Sequence, residues 1–132
     1  MYTIEKESTV LKYYLLTFKG NVEIEEAEKW YEKSKDILET ELDPFGLIIN
    51  MENLELLLPK AQDVLLKGQQ LYKEKGMQRS AIISDNALLL MQYKRITRES
   101  GISGEEKYFN TTENAHGLEK AIIWVALGKD IE

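Results

Sequence analysis

Residues 45–51 read FGLIINM and residues 78–84 read QRSAIIS. Each is a short apolar run with β-branched residues, entered through a turn signal: Asp43-Pro44 before the first, Gly76 before the second. Neither alternates apolar with polar residues over its length. Each therefore reads as a strand buried on both faces, the habit of parallel sheets. Between them, Pro59 suits the first turn of a helix. Ala61, Val64, Leu65, Gly68, Leu71 and Tyr72 then recur at three- and four-residue spacing up to about Lys75. Strand, helix and strand make a crossover unit, which has a fixed right hand.

The same alternation extends in both directions. Upstream, residues 22–42 carry Ala27, Trp30, Tyr31, Ser34, Ile37 and Leu38 on one helical face, with Glu23, Glu25, Glu26 and Glu28 crowding the first turns. Before them, residues 2–7 (YTIEKE) and 11–19 (LKYYLLTFK) read as strands. Their connection through Ser8, Thr9 and Val10 is short enough for an antiparallel hairpin, and the second strand stops at Gly20-Asn21. Residues 52–58 follow the first buried strand as a leucine-rich loop. Downstream, Ser84-Asp85-Asn86 opens a helix with Leu88, Leu89, Met91, Tyr93 and Ile96 as its apolar set, closed by Ser100-Gly101. Residues 105–109 read as a further strand. Asn110, with Glu113 three residues on, has the form of a capping box for a last helix over 111–127.

The order is ββαβαβαβα. It predicts an α/β fold: a five-stranded mixed, mostly parallel sheet with an antiparallel N-terminal hairpin strand, flanked by four helices on both faces. At 132 residues, with no internal repeat or linker, the chain reads as a single domain over 1–132.

Composition removes several chemistries. There is no cysteine and only one histidine, so thiolate metal sites, disulfides, thiol catalysis and His-rich metal centres are excluded. No P-loop, GxSxG or GxGxxG occurs. Gly101 to Gly104 has a GxxG form, but without basic residues inside it reads as a turn. The N-terminus has no basic start before an apolar core, and the apolar run Ala121–Leu127 is far short of the roughly 20 residues of a spanning helix. We expect a cytoplasmic protein with no cofactor, no metal and no membrane insertion. The net charge is −6. It is concentrated in residues 21–43, with nine acids and three bases, whereas residues 60–98 hold eight bases and three acids. An acidic total argues against general nucleic-acid binding.

Three stretches carry a family resemblance: residues 45–51 leading into Asn53–Leu58, residues 81–84 leading into Asp85, and the string Tyr108-Phe109-Asn110-Thr111-Thr112-Glu113-Asn114-Ala115 with Trp124 later in the helix. In this order they resemble the SpoIIAA-like superfamily of small bacterial and archaeal proteins, which joins STAS domains and Sec14-like relatives. The resemblance implies a SpoIIAA-like fold. In STAS antagonists a phosphorylatable serine follows the strand that corresponds to 45–51. Here no serine or threonine lies between Asn50 and Asp63, so that switch does not carry over. The Sec14-like relatives imply instead an apolar or lipid-like ligand.

Ligands of open α/β sheets sit beyond the carboxyl ends of the strands. Those ends carry Asn50, Glu52 and Asn53 after one strand and Ser84, Asp85 and Asn86 after the next. Such residues suit an anion or a polar head group, and equally serve as helix N-caps. Leu54, Leu56, Leu57 and Leu58 crowd the connection between. Three consecutive leucines cannot all face one core, so at least one is expected at a partner or ligand surface. Lys94, Arg95 and Arg98 form a candidate anion patch, with Arg79 and Lys75 expected nearby. His116 has no partner at ligand spacing and reads as a surface residue. The pair Glu105-Glu106 alternates faces and does not act together.

The leading expectation is a non-enzymatic regulatory or protein-interaction module that uses Asn50–Leu58, with a homodimer also compatible. The alternative is a carrier of a small apolar ligand, in a pocket of Leu57, Leu58, Leu88, Leu89 and Met91 rimmed by Asn50, Asp85 and Asn86. A hydrolase or transferase would have to rely on Asp85 or Glu52 as acid/base.

Overall fold

In the computed structural model of the protein, residues 1–7, 12–101 and 105–129 are described, with Leu56 described by its backbone only. The expected connection at Ser8–Val10 and the inner residues of the Gly101–Gly104 turn lie outside them. The main sheet has the expected five strands in the order β1-β2-β4-β6-β7. These are β1 (Tyr2–Glu7), β2 (Tyr13–Phe18), β4 (Phe45–Asn50), β6 (Met77–Ser84) and β7 (Glu106–Asn110). β1 pairs antiparallel with β2, and all other neighbours are parallel. β4, buried along almost its whole length, is the central strand, and Leu47, Ile48 and Ile49 carry the two faces.

The helices are α1 (Ile24–Leu38), α2 (Pro59–Glu74), α3 (Ala87–Glu99) and α4 (Gly117–Leu127). From β2 to β7 each crossover moves one strand further in the same direction across the sheet. With a constant right hand, α1, α2 and α3 must then fall on one face. Their apolar sides share one core: Trp30, Leu65, Tyr72 and Tyr93 meet Leu16, Phe18, Leu47 and Ile82. α4 alone covers the opposite face, with Ala121, Trp124 and Val125 against Ile48, Ala81 and Ile83.

Three expectations are corrected. The leucine-rich connection is not a loop throughout: Leu54–Leu57 is a strand, β5, which pairs in parallel with β3 (Gly20–Val22), just past the expected end of the second strand. This two-stranded sheet brings the total among the described residues to seven strands. The last helix begins at Gly117 rather than Thr111. Asn110 is not its cap. Its side-chain oxygen accepts from the backbone N–H (3.0 Å) and hydroxyl (2.7 Å) of Thr112, which closes a turn. At the far end of α4, Gly128 adopts φ 68° and donates its N–H to the Trp124 carbonyl. Arg79 also donates to the Trp124, Val125 and Ala126 carbonyls. This cation at a helix C-terminus takes Arg79 away from the expected anion patch.

Close approaches fix the layers. A Cβ on Gly68 would lie 2.1 Å from the Trp30 ring, and one on Gly46 would lie 2.7 Å from Val125 Cβ. Trp30 stacks on Tyr72 and meets Phe18 edge to face, while Tyr14 packs edge-on against Phe45 and Tyr72. At the amino end of the parallel strands, Glu41 is held by Lys6 (3.2 Å), Lys12 (2.7 Å) and the Tyr14 hydroxyl (2.6 Å). Burial alone would raise its pKa. The hydrogen bonds from Lys12, Tyr14, Lys6 and the Asp43 backbone win, and hold it at about 2.

Two outcomes follow for stability. Gly68→Ala should lower the unfolding free energy by about 2 kcal/mol despite the better helix propensity of alanine, because the Trp30 ring occupies the space. A urea midpoint equal to that of the native protein would contradict this contact. The folded pKa of Glu41 lies below its unfolded value of 4.5, so its contribution is present above pH 4.5 and fades as pH falls towards about 2. In Glu41→Gln, urea unfolding at pH 7 should show reduced stability, and the further loss between pH 5 and pH 2 should be shallower than in the native protein.

Candidate functional site

The carboxyl ends of β4 and β6 and the N-termini of α1, α2 and α3 lie along one rim, because each helix runs back against a parallel sheet. The β3–β5 pair extends this rim. Most of its polar side chains are engaged locally. Asn50 Oδ1 accepts from the Glu52 N–H (3.0 Å). The buried Ser84 hydroxyl accepts from the Asn86 N–H (3.0 Å) and donates to the Met51 carbonyl (3.4 Å). Asn86 Oδ1 accepts from the Leu89 N–H (3.1 Å) and caps α3. Asn53 adopts φ 61°, a left-handed conformation that asparagine tolerates, and its carbonyl accepts from the Gly20 N–H (3.0 Å). Ser84, Asn50 and Asn86 thus build the rim. Asp85 is exposed and Glu52 is half-buried.

Asn53, Leu54, Asp85 and Asn86 do come together. With Glu55, Ala87 and Leu88 they line an open, mainly polar depression of about 620 Å³ between β5 and the start of α3. The expected apolar pocket is only partly assembled. Leu57, Leu88 and Leu89 meet, with Leu54, Glu55, Asn86 and Gln92, around a space of about 120 Å³. Leu58 and Met91 are not among them. Small-molecule sites usually measure about 300–1,000 Å³. Leu57 is 7% exposed and belongs to the core, as does Leu54, whereas Leu58 is 47% exposed. Among the described side chains of the leucine run, Leu54 and Leu57 are buried and Leu58 is turned outward.

Leu58 occupies the N-cap position of α2, one residue before Pro59. It borders a second depression of about 630 Å³ with Ile24, Pro59 and Ala61, flanked by Glu23, Glu25 and Lys60. Its floor is apolar and its edge is charged. Leu88 and Met91, 63% and 68% exposed, stand further along the same rim on α3.

The candidate anion patch is exposed on α3. Lys94 Nζ lies 5.6 Å from the centre of the Tyr108 ring. Arg95 and Arg98 have no carboxylate partner among the described residues. His116 is exposed at the N-cap position of α4, with Nδ1 4.0 Å from Glu119. Among the described residues no group of three or more His, Asp or Glu gathers to hold a metal, and no helix is long and apolar enough to cross a membrane.

Sequence reasoning missed a polar cluster beneath α2 and α3. Glu106 on β7 accepts from Ser80 (2.8 Å), Gln69 and Tyr108. Tyr93 donates to Gln69 (2.7 Å), and the Thr97 and Tyr108 hydroxyls share a bond of 2.8 Å. Burial pushes the Glu106 pKa up, against the pull of its donors. The only sequence signal was a polar residue, Gln69, on the otherwise apolar face of α2.

No family model and no curated protein matches the chain. Among solved structures, an uncharacterized protein of the DUF3478 family with a SpoIIAA-like fold, from Shewanella loihica PV-4, matches with a TM-score of 0.65. The two share 22% identity, over 96% of this chain and 93% of that one. This chain has a SpoIIAA-like fold, as the resemblance implied.

If Asn86 serves as a cap, Asn86→Ala should lower stability by about 1 kcal/mol. Asn53→Gly should be close to neutral and Asn53→Ala should cost about 1 kcal/mol, since glycine alone matches the left-handed backbone without penalty. Chemical denaturation of the three variants checks the order. An Asn53→Ala protein as stable as Asn53→Gly would contradict it.

Proposed function

We propose that the protein is a non-enzymatic, STAS-like interaction module that docks a partner through the apolar part of this rim. The observation that carries the reading is Leu58, a large apolar side chain nearly half exposed over Ile24, Pro59 and Ala61. Exposed apolar patches with a charged border commonly mark contact surfaces. The rim's polar groups support the same reading, because Asn50, Ser84 and Asn86 already satisfy backbone groups and leave little free chemistry for catalysis. Glu106, the carboxyl group raised by burial, is likewise occupied by three donors.

The carrier reading draws less support. The apolar depression at Leu58 is open, and the Leu57–Leu88–Leu89 space is small for a lipid chain. With no serine or threonine between Asn50 and Asp63, docking here would not be gated by phosphorylation of that segment.

The test compares native protein with Leu58→Ser. Residue 58 is exposed, so the change should leave folding stability within about 0.5 kcal/mol. Crosslinking in an extract of the native cell should yield a defined adduct that Leu58→Ser reduces at least fivefold. Equal yields from both proteins would remove this surface from the reading. Native mass spectrometry of the purified protein should give the bare chain or multiples of it. A co-purifying lipid would replace the module by the carrier.

A further inference from the structure

We infer that the partner seated on this rim is a second copy of the same chain, related by a two-fold axis that runs along α2. The inference rests on the interaction-module reading and names its partner. It comes from two observations about the three-helix layer, one of charge and one of apolar surface, which fall in the same register.

The first observation is the layout of charge. α2 lies in the middle of the layer: Gly68 touches Trp30 of α1 on one side, and Gln69 accepts from Tyr93 of α3 on the other. The buried residues of α1 are Ala27, Trp30, Ser34 and Leu38. On the opposite side, at three- and four-residue spacing, stand Glu25, Glu28, Glu32, Asp36 and Glu39, all exposed. Among the described residues only Glu32 of these forms an ion pair, with Lys35 at 3.7 Å on the same helix, and Lys29 and Lys33 beside them leave the five acids in excess. α3 buries Leu90, Tyr93 and Thr97 and exposes Lys94, Arg95 and Arg98. The outer ridge of α2 holds Asp63, Lys67, Gln70 and Glu74, one cation set between two acids. The layer is therefore acidic on one flank, of mixed charge in the middle and basic on the other.

The second observation is the apolar surface. Leu88 and Met91 are exposed in the first turns of α3, ahead of the cations. Ile24 and Leu58 border the depression at the N-termini of α1 and α2, ahead of the acids. The three helices run in the same direction. From Leu88 to Arg95 is seven residues along α3, and from Ile24 to Glu32 is eight along α1. At 1.5 Å per residue these spans differ by only about 1.5 Å.

A two-fold axis along α2 places α1 of each copy against α3 of the other, with both helices running the same way. Leu88 and Met91 then fill the depression at Ile24 and Leu58, while Arg95 and Arg98 lie along Glu28, Glu32 and Asp36. Each contact occurs twice, as a self-complementary two-fold interface requires. An axis across the helices would set α1 against α1 and place like charges together. Charge and apolar surface thus select the same arrangement.

Sedimentation equilibrium tests this with the full chain, in 50 mM and 500 mM salt. The native protein is expected to be a dimer of its 15.3 kDa chain at micromolar concentration, with weaker association at high salt, since exposed pairs are screened. Arg95→Glu combined with Arg98→Glu should raise the dissociation constant at least tenfold, and so should Glu28→Lys combined with Glu32→Lys. These exposed changes should leave circular dichroism unaltered. An equimolar mixture of the two variants should recover the dimer, because each then offers the charge the other lacks. A native protein that stays monomeric at several hundred micromolar overturns the inference. So does a dimer that survives both variants, or a mixture that remains monomeric. If the native protein is monomeric while its crosslinked adduct with another protein is still lost in Leu58→Ser, the dimer falls and the interaction module stands. If the adduct is absent as well, both fall.

Discussion

Three successive crossovers of one hand, each stepping one strand further across the sheet, govern nearly everything else in this molecule. They place α1, α2 and α3 on the same face and leave the other to α4. Three helices side by side over four parallel strands must approach closely, and the sequence supplies the means: Gly68 admits the Trp30 ring. α4 must seal the second face alone, and Gly46 lets Val125 reach the sheet. Arg79 on the three carbonyls at its C-terminus and the Trp124 indole N–H on the Ser80 carbonyl (3.0 Å) then hold it in place. The same crossovers align three helix N-termini on one rim, which is why the candidate surface lies there.

The two perturbed carboxylates show how the chain handles charge at its core. Glu41, at the amino end of the strands, collects two lysines and a tyrosine hydroxyl, and these outweigh its burial. Glu106 sits under α2 and α3 with neutral donors only, and burial prevails. The two act in opposite senses. Glu41 adds stability at neutral pH, whereas Glu106 is more easily accommodated at acid pH and loses that advantage as pH rises through its elevated pKa. Such a fully bonded network fixes the relative placement of α2, α3 and β7, since Gln69, Tyr93, Thr97 and Tyr108 must all meet it at once.

Local pattern carried much of this architecture. The runs at 45–51 and 78–84 are β4 and β6, and the spacing of Ala61, Leu65, Gly68 and Tyr72 is the buried side of α2. What escaped depends on residues far apart in the chain. β3 is three residues long, and its partner β5 is a leucine-rich segment more than thirty positions away, so neither has a strand's signature alone. Asn110 followed by Glu113 has the form of a helix start, yet its side chain closes a turn onto Thr112, and the helix waits until Gly117. Arg79 read as part of a basic zone because nothing in its neighbourhood reveals the α4 carbonyls. At the site, the leucine run was legible as one that must expose a member. That Leu58 is exposed while Leu54 and Leu57 are buried depends on the pairing of β5 and on the start of α2 at Pro59, which the run itself does not reveal.

The aligned N-termini also bear on what the rim can bind. Each presents the positive end of a helix dipole. α1 answers with Glu25 and Glu26 in its first turn, whereas α2 and α3 have no acid there. The acids instead stand around the rim at Glu23, Glu55 and Asp85, so the positive ends are compensated and the border is negative. A surface of this kind does not favour a free anion. It favours an apolar side chain carried by a segment with cations behind it. Within this chain the segment of that description is the first half of α3, where Leu88 and Met91 precede Lys94 and Arg95. The negative border of the rim and the apolar floor of its depression thus support the self-association inferred above, although they arise from different parts of the structure.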